Sequence, residues 1–447
     1  MRGTRVRTSV SACLRLAAAL ACAHALASPA AADPPERHRA VSLTLWGGGG
    51  GAADEHPLTI GNLNLTDLDQ TLDDMKAIGV DHVGVNVFWL QDDISAYAIS
   101  PDPNGATGFR GTATTAVAEA AIDAIHAKGM EVMLKPIVNL RDDPTHWRGQ
   151  IPGSDQWMWG PTGTQHDGTH AGGADDAHDG YANFMYHWSE VAEAKGVEIL
   201  CVGTEYAAAS GGTGNETRWR ALIGGDGGDG VGGSGSGVRN RYSGKLTYAA
   251  QNGWWNWPRG QDATEADIGW WDAVDYLGVD AYYVLTNYQG ETPAGTTSPT
   301  VAQLKAAWSD ETSPWGWNYV AMLEAWRAGH GDMPVLFTEV GYTSDDGTNM
   351  HPWQVPGSGT EDQQEQADCY EALLSQLWDE DWWVGAYWWN WEIDPDPNDW
   401  DHAPVWFTPQ GKLAEGVLYD YYIPEPATVA VLLAGAVTLL RRRRGSR

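Results

Sequence analysis

Short apolar runs alternate along the chain with stretches whose apolar residues recur every three or four positions. The runs at 41–46, 81–89 (DHVGVNVFW), 130–138 (MEVMLKPIV), 197–205, 245–251 (KLTYAAQ), 274–280 (VDYLGVD), 335–339 and 383–390 (WVGAYWWN) read as strands. Their near-continuous apolar character is that of strands covered on both faces. The stretches 66–78 (with Leu68, Leu72 and Met75 on one face), 114–127, 181–195, 301–328 (broken at Ser313-Pro314), 360–378 and 413–419 read as helices. Eight strands with intervening helices predict one α/β domain, a (β/α)8 TIM barrel over residues 40–421. A doubly wound sheet would alternate too, but the chain has no Gly-rich dinucleotide fingerprint. Residues 140–179 read as a long loop rich in Gly, Asp, His and Trp. The segment 224–237 is mostly Gly with Asp and Ser, a surface insertion unable to hold a core.

Two of the strands end alike. VEILCVGTEY closes on Glu205 and PVLFTEVGYTS on Glu339, an apolar run followed by a carboxylate at the strand's C-terminal end. Barrel enzymes place their chemistry at those ends. In a barrel the fourth and seventh strands face each other across the mouth, so the two carboxylates suit an acid/base and nucleophile pair for glycosidic bond hydrolysis. Two buried Glu in unrelated salt bridges would give the same pattern.

Composition narrows the picture. A formal net charge of −32 leaves no basic footprint for nucleic acid. Tryptophan stands out, 25 against 5 Phe; indoles offer apolar faces on which sugar rings stack. Trp89, Trp254, Trp255, Trp388, Trp389 and Trp391 crowd near strand ends, which favours a carbohydrate cleft. Of the four Cys, Cys13 and Cys22 fall in a leader and Cys201 and Cys369 read as buried free thiols. The cluster His166, Asp167, His170, Asp175, Asp176, His178 and Asp179 has spacings that any His/Asp-rich loop offers, and the proposed chemistry needs no metal or cofactor.

Both ends carry addresses. Residues 1–32, with Arg2, Arg5, Arg7 and Arg15 before an Ala/Leu run and small residues ending at Ala32, read as a secretory signal peptide. Within 422–447, Pro424-Glu425-Pro426 precedes an apolar run at 427–440 and then Arg441, Arg442, Arg443 and Arg444. The run is short for a bilayer span. Together these parts resemble the PEP-CTERM sorting signal of bacterial exported proteins, which implies contact with export and sorting machinery and delivery to the envelope or outside. A plain tail anchor is the alternative.

Seven motifs in order, NVFWLQDD (86–93), MLKPIVNL (133–140), HWRGQI (146–151), VGTEY (202–206), LGVDAYY (277–283), LFTEVGYTS (336–344) and WWNWE (388–392), resemble glycoside hydrolase family 113. The resemblance implies a retaining (β/α)8 enzyme, chiefly an endo-β-1,4-mannanase, with Glu205 as acid/base and Glu339 as nucleophile. By position it carries substrate-binding roles to Trp89 and Gln91, to Lys135 and Asn139, to Trp147 and Arg148, to Asn252, and to Asp280 and Tyr282. Either Tyr282 or Tyr283 would hydrogen-bond the nucleophile. Trp389 and Trp391 would floor the −1 sugar. The chain departs from the family at Ile137, where a His is common. The expected function is hydrolysis of β-1,4-linked mannan-type polysaccharide by a monomer. The alternatives are a retaining hydrolase of another β-glycan and a non-catalytic envelope carbohydrate-binding barrel.

Overall fold

The computed structural model describes residues 37–45, 65–102, 112–141, 143–161, 175–225, 237–252, 268–287, 293–315, 317–354, 359–393 and 405–423. Eight parallel strands close a barrel in chain order: β1 (His38–Thr44), β2 (His82–Gln91), β3 (Glu131–Leu140), β4 (Ile199–Thr204), β5 (Lys245–Gln251), β6 (Tyr276–Asp280), β7 (Val335–Val340) and β8 (Trp383–Trp391). β1 pairs with β2 and, through His38↔Gly385, with β8. Around this wall lie α1 (Leu65–Ala77), α2 (Thr115–Ala127), α3 (Tyr181–Lys195), α4 (Thr213–Gly224), α5 (Val301–Ser309), α6 (Tyr319–Gly329), α7 (Gln363–Leu377) and α8 (Leu413–Tyr422). The chain is thus a single (β/α)8 barrel.

Local chemistry sets the helix ends. The Thr114 hydroxyl accepts from Val117 N at the start of α2, Asp362 accepts from Glu365 N at the start of α7, and Thr300 with Gln303 forms a capping box on α5. α3 stops at Gly196, whose left-handed conformation lets its N–H reach the carbonyls of Ala192 and Glu193. The predicted break at Ser313-Pro314 separates α5 from α6.

The long loop predicted at 140–179 holds more structure than its polarity suggests. It contains a 3-10 turn (Arg148–Gln150), a short helix (Asp155–Trp159) capped by Ser154, and one strand of a two-stranded ribbon, His178–Asp179 paired with Ala98–Ile99. α4 also lies where no helix was predicted. Its first turn, Thr-Gly-Asn-Glu, has poor helix propensity, and burial of Trp219, Leu222 and Ile223 holds it in place. Residues 162–174, 226–236 and 253–267 lie outside the described residues, and with them His166, Asp167 and His170 of the His/Asp cluster, most of the Gly-rich segment, Trp254 and Trp255.

Two apolar layers sandwich the wall. Between strands and helices lies one continuous core that includes Val83, Val85, Val117, Ile122, Leu373 and Trp388. Inside the barrel a small plug of Ala40, Met133, Ile199, Leu336, Val384 and Tyr387 fills the floor. Polar side chains begin directly above the plug, and the site is built there. Cys201 and Cys369 are buried free thiols.

Candidate active site

Each of the two strands that deliver a carboxylate carries one extra residue just before it. Along β7 the pairing with β6 runs Val279↔Phe337 and then Asp280↔Glu339, so Thr338 is inserted. Along β4 the pairing with β5 runs Cys201↔Thr247 and then Thr204↔Ala249, again one residue too many. A bulge of this kind shifts the in–out alternation of a strand and re-aims the next side chain. At β4 the shift needs Gly203, since a Cβ there would lie 2.7 Å from the Trp219 ring. Glu205 itself is held at φ 55, a conformation non-Gly residues rarely adopt. It is clamped from both sides: Glu205 N donates to Ala249 O at 2.8 Å, and Tyr206 N donates to Tyr248 Oη at 3.0 Å.

Glu339 is ringed by donors. Lys135 Nζ donates to its Oε1 at 2.7 Å and Tyr282 Oη to its Oε2 at 2.9 Å. The same Nζ reaches Asp280 Oδ1 at 2.9 Å and Oδ2 at 3.1 Å, and Thr338 Oγ1 donates to Asp280 Oδ1 at 2.7 Å. Lys135 and Asp280 have no solvent exposure, and the Glu339 side chain retains 6%. Burial alone would depress the Lys135 ammonium, but Asp280 and Glu339 outweigh it and hold its pKa above the usual lysine value. Burial and then Glu339 push Asp280 up to about 8, against the pull of Lys135. Burial, Glu339 and Asp280 push the Tyr282 phenol well above its ordinary value, so it remains a proton donor toward Glu339.

Glu205 has a different companion. Arg148 Nη2 donates to its Oε2 at 2.6 Å, and Arg148 Nη1 donates to Asn139 Oδ1 at 3.0 Å. Burial works against the guanidinium charge, but Glu205, Glu339 and Asp280 raise the Arg148 pKa above the usual arginine value. Arg148 opens the 3-10 turn after β3, just behind Trp147. The Trp147 indole folds over Gly149, where a Cβ would come within 2.2 Å of the ring.

Above the carboxylates opens a cavity of about 290 Å3 lined by Trp147, Glu205, Gln251, Asn252, Tyr282 and Trp353. Trp147 and Trp353 are 39% and 40% exposed, unusual for indoles. Asn252 is buried, and its Nδ2 has no acceptor among the described residues, so it presents a donor at the cavity wall. Trp389 is half-buried and packs with Tyr282, Trp406 and Phe407 beside the mouth.

The other residues singled out in the sequence lie elsewhere. Trp89 is fully buried behind the wall, its Nε1 donating to Ala113 O and its ring packed on Phe184 and Trp188. Gln91 accepts from Trp157 Nε1 and donates to Asp93 O, so it ties loops together away from the cavity. Tyr283 packs on Trp308 and Tyr319 in the outer core, which leaves Tyr282 as the tyrosine on Glu339. Trp391 and Trp388 join the outer core, the latter stacked on Tyr370. Asp280 lies under the site and meets Lys135 rather than the cavity. Gln251, Trp353, Trp406 and Phe407 were not anticipated. Gln251 follows Ala249 in the inward alternation of β5, a signal the sequence does carry.

Comparison with known proteins agrees with this fold. The sequence matches Glycoside Hydrolase Family 113 over residues 59–412. No curated protein matches it. Among solved structures, a GH113 β-1,4-mannanase in complex form is similar with a TM-score of 0.58 and 20% identity, over 87% of this chain and 99% of that one. The GH113 β-mannanase of Alicyclobacillus acidocaldarius, in complex with ManMIm, is similar with a TM-score of 0.58 and 22% identity, over 88% and 99%. A third structure, of a GH113 β-1,4-mannanase, gives 0.59 and 21%, over 87% and 99%. At such identities the structures speak for the fold; the family match covers most of the sequence, and the chain belongs to Glycoside Hydrolase Family 113 and is a glycoside hydrolase.

Proposed function

We propose that this glycoside hydrolase cleaves β-1,4-linked mannan-type polysaccharide with retention of anomeric configuration, Glu339 acting as nucleophile and Glu205 as acid/base. The observation that carries the reading is the different setting of the two carboxylates: each meets a cation, but Glu339 is sunk at the barrel floor on an ammonium and a phenol, whereas Glu205 stands at the cavity wall. Glu339 receives an ammonium and a phenol, both donors to its ionised form, as a nucleophile requires. Glu205 lines the open cavity, where a leaving oxygen would sit.

In the first step Glu339 attacks the anomeric carbon while Glu205 protonates the departing oxygen. Arg148 then faces the carboxylate that has given up its proton. In the second step Glu205 takes a proton from water, which displaces Glu339. Tyr282 steadies Glu339 when it leaves as a carboxylate. Trp147 and Trp353 offer faces for sugar rings, and the Asn252 amide offers a donor to a hydroxyl. Mannan as the polymer is supported by the similar structures, which are described as β-mannanases. The leader at 1–32 and the tail at 422–447 support export and sorting to the envelope or beyond.

The test is hydrolysis of a panel of soluble β-1,4-glycans, mannan and glucan among them, by the intact protein beside Glu339→Ala and Glu205→Ala. Cleavage of mannan that both variants abolish is the expected result. Binding without cleavage would mark a carbohydrate-binding barrel, and preferential cleavage of glucan would replace the substrate.

A further inference from the structure

The proposed reaction moves one negative charge across the cleft. In its first step a Glu339 oxygen bonds to the anomeric carbon, the bond from that carbon to the leaving oxygen breaks, and the leaving oxygen takes the proton of Glu205. Glu339 becomes a neutral ester and Glu205 an anion. Arg148, 2.6 Å from Glu205, already stands where that anion appears. Lys135 suffers the opposite change, because the carboxylate it holds at 2.7 Å is spent. Its side chain has no exposure, so it cannot turn to water, and an unpaired buried ammonium is unfavourable.

We propose that Asp280 is a positioning residue, the standby counter-ion that keeps Lys135 paired and in place while Glu339 is esterified. The proposal rests on the reading of Glu339 as nucleophile. Both Asp280 oxygens lie within 3.1 Å of the Lys135 nitrogen, so the ammonium bridges the two carboxylates and needs no movement to change partner. The bulge at Thr338 sets Asp280 directly beside Glu339, and the Thr338 hydroxyl also donates to Asp280 Oδ1. Glu339 is one of the influences that hold Asp280 at about 8, after burial. Esterification removes it, so Asp280 carries its charge more readily when Lys135 needs a partner. In the second step water bonds to the anomeric carbon, its proton goes to Glu205, the bond to Glu339 breaks, and Lys135 again has the Glu339 carboxylate as its partner.

This role differs in sign from a merely structural one. An Asp280→Asn enzyme keeps the Lys135–Glu339 pair at rest but leaves Lys135 unpaired in the glycosyl-enzyme. That destabilises the covalent state alone, slowing its formation and hastening its breakdown. The probe is a 2-deoxy-2-fluoro-β-mannosyl fluoride, with label on the Glu339 peptide read by mass and its release followed after removal of excess reagent. The intact wild-type protein is expected to label at Glu339. Asp280→Asn is expected to label about a hundredfold more slowly and to release the label faster than wild type. In a Lys135→Met background the same substitution is expected to change labelling by less than about threefold, since no ammonium is left to pair. Labelling of Asp280→Asn at the wild-type rate, equal slowing of labelling and release, or an undiminished loss in the Lys135→Met background would overturn the proposal. Should Asp280→Asn not fold, the double variant, whose floor bears neither charge, is compared with Lys135→Met alone and decides it. A wild-type label on a residue other than Glu339 would instead overturn the nucleophile reading, and the counter-ion role with it.

Discussion

The two rims of the barrel carry similar groups to opposite ends. At the base, Asp81 accepts from Arg39 and meets His82 Nδ1 at 2.6 Å, while His82 Nε2 meets Glu131 at 3.1 Å and stacks on His38 with ring centres 3.8 Å apart. At the mouth, Lys135, Asp280, Glu339, Arg148 and Glu205 make an equally dense set. The base residues close on one another and tie β1, β2 and β3 together. The mouth residues lie under an open cavity, and their cations are outnumbered by carboxylates, two to three. A full complement of partners makes a brace. A shortage of cations beneath a cavity keeps charge available for reaction.

Substitutions at the mouth should therefore cost activity, and substitutions at the base should cost stability. The largest effect is expected for Glu339→Ala, a fall in turnover on the order of 10^5-fold with folding intact. Steady-state assays with mannan check it, and residual turnover within tenfold of wild type would break the division between rims. Glu205→Ala should lose on the order of 10^3-fold on polysaccharide but far less on an aryl glycoside whose leaving group needs no proton. Equal losses on both substrates would remove Glu205 from the acid role.

A smaller effect is expected at the cavity wall. Trp353→Ala and Trp147→Ala should each raise KM about tenfold with little change in kcat, the signature of lost sugar stacking. A fall in kcat alone would place these indoles at the reacting centre instead.

At the base, His82→Gln should leave turnover at 25 °C unchanged and lower stability. Burial disfavours the imidazolium, but Asp81 and Glu131 outweigh it and raise His82 from 6.5 to about 9. A raised pKa contributes stability that is fully present below about 6.5 and lost as pH rises through about 9. The contribution is about 2 kcal/mol, discounted because the Glu131 side chain is half exposed. Thermal unfolding from pH 6 to pH 10 should show wild type losing Tm across that window and His82→Gln showing a flatter profile. Parallel profiles would mean that the base is not braced by this ion.

Much of this architecture is written in the periodicity. Every barrel strand follows an apolar run, and the two glutamates follow from the runs' shared ending in Thr-Glu. Which strand-end aromatics enter the cleft is harder to read. Trp89 follows the inward Phe88 and must point outward. Along β8, Tyr387 faces the inner plug, Trp388 the outer core and Trp389 the mouth, yet Trp391 returns to the outer core because the alternation slips near the strand end. Bulges at Thr338 and Gly203 shift phase in the same way, and a bulge depends on the register of a neighbouring strand that no local pattern records. Trp353 comes from a loop after β7, where only the folded path brings it over the cavity. Asp280 reads as a cleft residue by its position at a strand end; its register with Glu339 puts it under Lys135.

The most direct test of the two-carboxylate mechanism is the anomeric configuration of the first product, followed by proton NMR during early mannan hydrolysis. Retention requires that the β-anomer appear first and mutarotate to the α-anomer later. Initial release of the α-anomer would contradict a covalent Glu339 intermediate and point to direct attack by water.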